Sequence, residues 1–226
     1  PDDTYWGKLN IQLSSGSTDW DVVGTGIQPS WDVTPAGQLT PLTAFLEDPS
    51  MTSPDYDYED IFPALRRAWT WNVEEEKIID TPDGEIWAIP HAFETVQLMY
   101  RTDILDRLGV EPPRTLTDLI TACKQITQSD PSITPMAVRG VRFWSSIHTA
   151  PISIARSYGV SDFVGSGEDL DTGLDSADSI RFHKDYVEMI QTCAPDSWAN
   201  DNWYQVVDGL SSGKTAMAMD ANMFGF

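Results

Sequence analysis

Between residues 95 and 138 the hydrophobic period switches from two to helical and back, and this switch constrains the fold more than any other feature of the chain. Over 95–101 the side chains alternate, with Val96, Leu98 and Tyr100 on one parity, as on a strand with one packed face. A helix is predicted from 102 to about 108, closed by Gly109, and Pro112-Pro113 then mark a rigid extended link. Thr115 with Asp118 three residues on has the layout of a capping box and opens a second helix to about 129. Residues 133–138 read as a strand. Strands alternating with helices in this way predict an α/β protein.

The flanking sequence continues the alternation. Residues 17–23 read as a short buried strand ending at Gly24-Thr25-Gly26. Ser30 is placed to cap a helix from 31 that stops at Gly37, and 39–46 reads as a packed turn. A helix is expected over 61–71, and a strand over 85–89 leads through Pro90-His91-Ala92-Phe93-Glu94 to the strand at 95. Residues 145–158 are amphipathic but interrupted by Pro151, which implies a kink or a late start. Ser176 caps a helix to about 193, another runs over 203–212, and 215–219 closes as a strand.

Composition narrows the function. The chain has 226 residues, 35 acidic and 14 basic side chains and a net charge of −21, with 41% hydrophobic residues. That apolar content excludes a disordered chain, and the acidity disfavours nucleic acid and anionic membranes, which need clustered Lys and Arg. The acid excess is uneven, at 18 acidic against 4 basic residues in 1–100 and 17 against 10 thereafter. No apolar run is long enough to span a membrane, and no basic-then-apolar leader opens the chain; an exported protein would have had its signal removed. Gly24-Thr25-Gly26 lacks the third glycine of a nucleotide cradle, and Pro29 and Ser30 separate it from the expected helix. Asp55 to Asp60 alternates oxygen ligands but lacks the glycine a calcium loop needs at its sixth position, and Asp169 to Asp175 suits a turn or hairpin equally well. With His91, His148 and His183 as its histidines and no CxxC pair, the sequence offers little to a zinc site, and no cofactor is implied. Cys123 and Cys193 both fall on predicted helices, and a disulfide and two buried thiols both remain open.

Four stretches, in order, resemble the family 1 extracellular solute-binding proteins, the carbohydrate receptors of importers of the maltose-binding-protein type. They are Asp21-Val22-Val23 through Ala36-Gly37-Gln38-Leu39-Thr40-Pro41-Leu42; Trp87-Ala88-Ile89-Pro90 leading to Leu98-Met99-Tyr100-Arg101-Thr102-Asp103-Ile104-Leu105; Leu108-Gly109-Val110-Glu111-Pro112-Pro113 to Asp118-Leu119; and Ser212-Gly213-Lys214-Thr215-Ala216-Met217-Ala218-Met219-Asp220. The resemblance implies a two-lobed periplasmic-binding-protein-like architecture of the class II type, with lobe 1 incomplete because the family's opening strand and helix and its later segments are missing. Residues 1–100 would belong to lobe 1, 101–214 to lobe 2, and 215–226 would cross back. The strands at 95–101 and 215–220 should then lie side by side. A monomeric periplasmic or extracellular receptor is implied, lipid-anchored through a missing N-terminus in some versions, binding a sugar or polyol and delivering it to an ABC transporter permease by lobe closure.

A sugar site needs aromatic faces for the ring and carboxylates or amides for paired hydroxyls, and loops at strand ends are where such groups point into a cleft. Glu94 precedes the Leu98-Met99-Tyr100 strand, where the resembling receptors place a glutamate on sugar hydroxyls, and Phe93, Thr95 and His91 share its loop. Gln28 and Trp31 follow the Asp-Val-Val segment, where a polar contact is common. Arg139, Phe143 and Trp144 follow the predicted strand at 133–138, with Trp144 as a stacking platform. Asp220 and Asn222 end the last strand, and Trp203 opens a helix. The alternatives are a glycoside hydrolase using Glu94 and Asp220 as its carboxylate pair, or a carbohydrate-binding module. Neither a nucleophile triad nor a definable carboxylate spacing supports catalysis.

Overall fold

A computed structural model describes residues 2–17, 19–75, 81, 83–143 and 146–222. The chain forms two compact units, Pro1–Phe93 and Glu94–Phe226.

The first unit opens on helix α1 (Asp2–Ser14), where the sequence suggested no element because its apolar residues form no periodic stripe; Leu9 is buried while Ile11 is exposed. Helix α2 (Ile27–Val33) begins earlier than expected. Ser30 does not cap it: its fully buried hydroxyl donates one turn back to the Gly26 carbonyl at 2.8 Å, and Gly26 takes the N-cap position. The helix therefore follows the glycines directly, with Pro29 in the first turn, where a missing N–H breaks no helical bond. Helix α3 (Thr43–Glu47) occupies the expected turn, and α4 (Pro63–Ala68) starts with its proline in the first turn, a position that suits it. Strand β1 (Thr70–Trp71) pairs antiparallel with β2 (Glu85–Ile86), Thr70 opposite Ile86. The Trp69 and Trp71 rings stack at 5.6 Å, and the Trp71 indole donates to the Ala68 carbonyl at 2.8 Å. A Cβ on Gly84 would stand 2.8 Å from the Trp71 carbonyl carbon, so this approach requires glycine. Asp21 to Val23, expected as a strand, is irregular and Val22 is 90% exposed. A strand exists through its ladder, and none of the described residues supplies a partner there. Asp55 to Asp60 forms a turn and a single 3-10 turn over Tyr58–Asp60, with the Asp57 carboxylate accepting from the Glu59 amide at 3.1 Å. Among the described residues no three His, Cys, Asp or Glu side chains gather to hold a metal ion.

The second unit follows the predicted alternation. Strand β3 (Val96–Tyr100) leads to α5 (Thr102–Leu108), α6 (Leu116–Ser129), β4 (Thr134–Val138) and α7 (Thr149–Ser157). A hairpin of β5 (Phe163–Val164) and β6 (Asp171–Thr172), long helix α8 (Ala177–Cys193), helix α9 (Trp203–Ser211) and strand β7 (Thr215–Ala221) complete it. The sheet order is β3-β7-β4. The expected pairing of the two crossing strands is observed: β3 runs antiparallel to β7 from Val96 opposite Ala221 to Tyr100 opposite Met217, while β4 is parallel to β7. This ladder places 96–100 in the second compact unit, which begins at Glu94.

Alternation along the strands separates two packed faces. Met136, Val138 and Met217 face a core with Leu105, Ile126, Phe182 and Met189 from the α5, α6 and α8 helices. Ala137 and Ala218, on the opposite face, are small enough to admit α9 and its Val206. Local signals placed the helix ends. Gly109 closes α5 at φ 66°, Thr115 and Asp118 form the reciprocal capping box of α6, and the Ser176 hydroxyl accepts from the Ser179 amide. Pro151 sits in the first turn of α7, which is the late-start alternative. Cys123 and Cys193 are joined as a disulfide, Cα–Cα 5.2 Å, that ties α6 to α8 inside the core. Nearby, the buried Tyr186 hydroxyl has no partner among the described residues, and burial pushes its pKa up to about 12.

Candidate functional site

Because β4 and β7 are parallel, their carboxyl ends open on the same edge of the sheet, and antiparallel β3 starts there. Loops leave an α/β sheet at this edge, where ligands characteristically bind. Asp220, the penultimate residue of β7, and Arg139, the residue after β4, meet across it. The guanidinium Nε donates to Oδ2 at 3.0 Å and a terminal nitrogen donates to Oδ1, a bidentate pair with residue exposures of only 6% for Arg139 and 1% for Asp220. The Ala221 amide also donates to Oδ1, at 2.6 Å. Both carboxylate oxygens of Asp220 are thus occupied within the protein. The sequence placed Asp220 as a ligand contact; in the structure it is the buried ion partner of Arg139, 81 residues earlier in the chain.

Two residues further, Asn222 clasps the head of β3. Its Oδ1 accepts from the Thr95 amide at 3.0 Å, and its own amide donates to the Thr95 carbonyl at 2.9 Å. Thr95 and Asn222 are therefore brought together as expected, and Glu94, exposed, is held beside them by the adjoining peptide. The loop after β4 is anchored from the other side: the Gly140 and Val141 amides both donate to the Asp201 carbonyl, at 2.9 and 3.1 Å. Gly140 has no room for a side chain, since a Cβ would stand 2.6 Å from the Trp198 indole. Buried Ser146 meets the Asn202 side chain at 3.3 Å, and Asn202 in turn caps α9 in a capping box with Gln205. His148, at the start of α7, has its pKa lowered, first by burial and then by the positive charge of Arg139. The imidazole at this edge is accordingly biased to its neutral form.

Trp203 and Tyr204 at the head of α9 stack with ring centroids 3.5 Å apart, and Tyr204 is exposed. Tyr204 was not singled out from the sequence; a second aromatic directly after Trp203 in the first turn of the helix was the available signal. Trp144 lies outside the described residues. The remaining candidates belong to the first unit. Gln28 and Trp31 stand three residues apart on α2, hence on neighbouring positions of one helix face, and both are exposed. Phe93 packs edge-to-face on Phe62 at 5.7 Å, with the two rings 50% and 63% exposed. His91 is exposed in the same loop.

A family model described as bacterial extracellular solute-binding protein matches residues 1–225. The chain belongs to that family. Among curated relatives, this solute-binding chain is 29% identical over 223 residues to the erythritol/L-threitol-binding protein of Mycolicibacterium smegmatis, covering 98% of this chain and 46% of that protein. Among solved structures it resembles an ABC transporter solute-binding protein from Agrobacterium vitis S4 with bound D-mannitol, at 21% identity and TM-score 0.74, over 99% of this chain and 49% of the other. It also resembles maltose-bound MalE3 of T. maritima, at 20% identity and TM-score 0.76, over 96% and 50%. The fold is that α/β, two-lobed binding-protein class, and the chain spans about half the length of the proteins it matches. The family is extracellular, and among the described residues no helix is long and apolar enough to cross a membrane.

Proposed function

We propose that this receptor captures a sugar or polyol outside the cytoplasm and delivers it, as a monomer, to the permease of an ABC transporter. The observation that carries the reading is the carboxyl edge of the β4–β7 pair, where the Asn222–Thr95 clasp holds Glu94 at the head of β3. Glu94, Thr95 and Asn222 supply the acceptors and donors that vicinal hydroxyls require, and Trp203–Tyr204 supplies an aromatic face. Gln28, Trp31 and Phe93 are the contributions expected from the first unit. The erythritol/L-threitol-binding relative and the D-mannitol-bound neighbour support a small neutral polyol or sugar as the cargo. In lobe terms, we assign 1–100 to lobe 1, 101–214 to lobe 2 and 215–226 to the return toward lobe 1. Ligand favours the closed form by binding it more tightly than the open one, and the permease reads closure. A lipid anchor would keep such a receptor at the membrane. Membership of a binding-protein family supports capture over hydrolysis.

The test is Glu94→Ala in the complete receptor. Loss of a charged hydrogen-bond partner is expected to weaken binding of the recognised sugar or polyol by about 1.5–3 kcal/mol, read by calorimetry, with circular dichroism unchanged. An unchanged dissociation constant removes Glu94 from the site.

A further inference from the structure

The charges buried at this edge restrict what it can accept. Among the described residues, the buried ions there are the Arg139 guanidinium, the Asp220 carboxylate that grips it, and Asp201, whose carboxylate accepts from Ser197 at 3.2 Å. Exposed Glu94 adds negative charge; exposed Arg142 lies on the same loop as Arg139. From this arrangement we infer that Asp220 sets the charge class of the ligand: by holding Arg139 it confines the site to neutral polyhydroxylated solutes and rejects their carboxylate-bearing counterparts. This rests on the sugar or polyol reading and specifies it.

A sugar acid entering an α/β binding edge would seek a guanidinium, whose planar fork matches a carboxylate through two parallel hydrogen bonds. Asp220 already uses that fork, through Nε and a terminal nitrogen. Because Asp220 is tethered within the fold, its effective concentration exceeds that of any free ligand, so an incoming carboxylate does not displace it. The incoming anion would instead be desolvated near Asp220 and Asp201 with that guanidinium fork already filled, a built-in repulsive element against the wrong ligand. A hydroxyl in the same place meets no such penalty. Asp220 therefore acts through Arg139 and not by touching the solute, and removing its charge should hand the guanidinium to the ligand.

The experiment is calorimetry on the complete receptor with matched probes: a tetritol, a pentitol and a hexitol, each against the aldonate of the same chain length, and D-glucose against D-glucuronate. The neutral member of the recognised pair should bind at least about 100-fold more tightly than its acid, at about 50 mM and about 500 mM salt alike, because a contact-range device escapes screening whereas rejection by the net surface charge does not. Asp220→Asn should raise the acid's affinity at least about tenfold, and the double variant Arg139→Met with Asp220→Asn should lose that gain, since no guanidinium is left to receive it. Equal affinities in the parent receptor, discrimination that vanishes at high salt, a folded Asp220→Asn without gain, or a double variant that keeps the gain would each overturn the inference. If Asp220→Asn does not fold by circular dichroism, the salt series on the parent receptor decides. A receptor that binds none of the probes would instead defeat the sugar or polyol reading itself, and the inference with it.

Discussion

Two tyrosines in the second unit are alike in chemistry but opposite in what their hydroxyls contribute. The Tyr158 hydroxyl donates to the Asp185 carboxylate at 2.7 Å, and burial together with that bond raises its pKa to about 12. Tyr186 reaches about 12 by burial alone, its hydroxyl enclosed with no partner among the described residues. A hydroxyl desolvated without compensation costs stability, whereas a paired one contributes modestly. Tyr158→Phe is therefore expected to destabilise by about 1 kcal/mol, and Tyr186→Phe to be neutral or stabilising by up to about 1 kcal/mol, in urea unfolding. Equal losses from both would mean that Tyr186 has a partner. At this scale the sequence was a good guide where a residue's role is set by its neighbours in the chain and a poor one where the partner is distant. Thr115, Asp118, Gly109 and Ser176 act within one helical turn, and each does what its spacing implied. Asp220 depends on Arg139, and Asn222 on Thr95 across the ladder. Neither partnership has a local signature, so neither could be read from the sequence.

Among the elements, the same distinction separates helices from the strands of the first unit. The α5, α6 and α8 helices carry their own boundaries in caps and periodicity, but Asp21 to Val23 needed a neighbouring strand that the described residues do not provide, and so it remains irregular. Ser30 was misplaced for a related reason: the same hydroxyl that can cap a helix can also bond back to the carbonyl one turn earlier, and burial of the side chain selected the second. The Cys123–Cys193 bridge is the element-scale feature the sequence left open, since it depends on α6 and α8 lying side by side. It closes a loop across a sequence separation of 70, and buried disulfides persist in oxidising surroundings such as those of an extracellular protein. Replacing both cysteines by alanine should lower stability by about 2–4 kcal/mol, through the freedom restored to the unfolded chain and the sulfurs lost from the core. Guanidinium unfolding under non-reducing conditions measures it; a loss below about 1 kcal/mol would show that packing of α6 on α8 holds this core without the bridge.

For the molecule as a whole, order of elements proved more informative than any single motif. Loose segments such as Trp87 to Pro90 and Ser212 to Asp220 carry little individually, yet their succession identified a family that matches residues 1–225. The carboxyl edge was legible to the extent that it follows from topology: parallel β4 and β7 had to open on one side, and the candidates at their ends came with them. Its electrostatic balance was not, because a net charge of −21 says nothing about which carboxylates are exposed and which are sequestered by an arginine. The central claim is that these elements serve a receptor for neutral polyhydroxylated solutes. The most direct measurement is thermal unfolding of the complete receptor against a panel of polyols, monosaccharides and disaccharides. A recognised ligand at about 100 times its dissociation constant should add about 2.7 kcal/mol of stability and raise the melting temperature in proportion to its logarithmic concentration, with no change in the ligand recovered afterwards. A properly folded receptor whose melting temperature is unmoved by every member of the panel would contradict the claim.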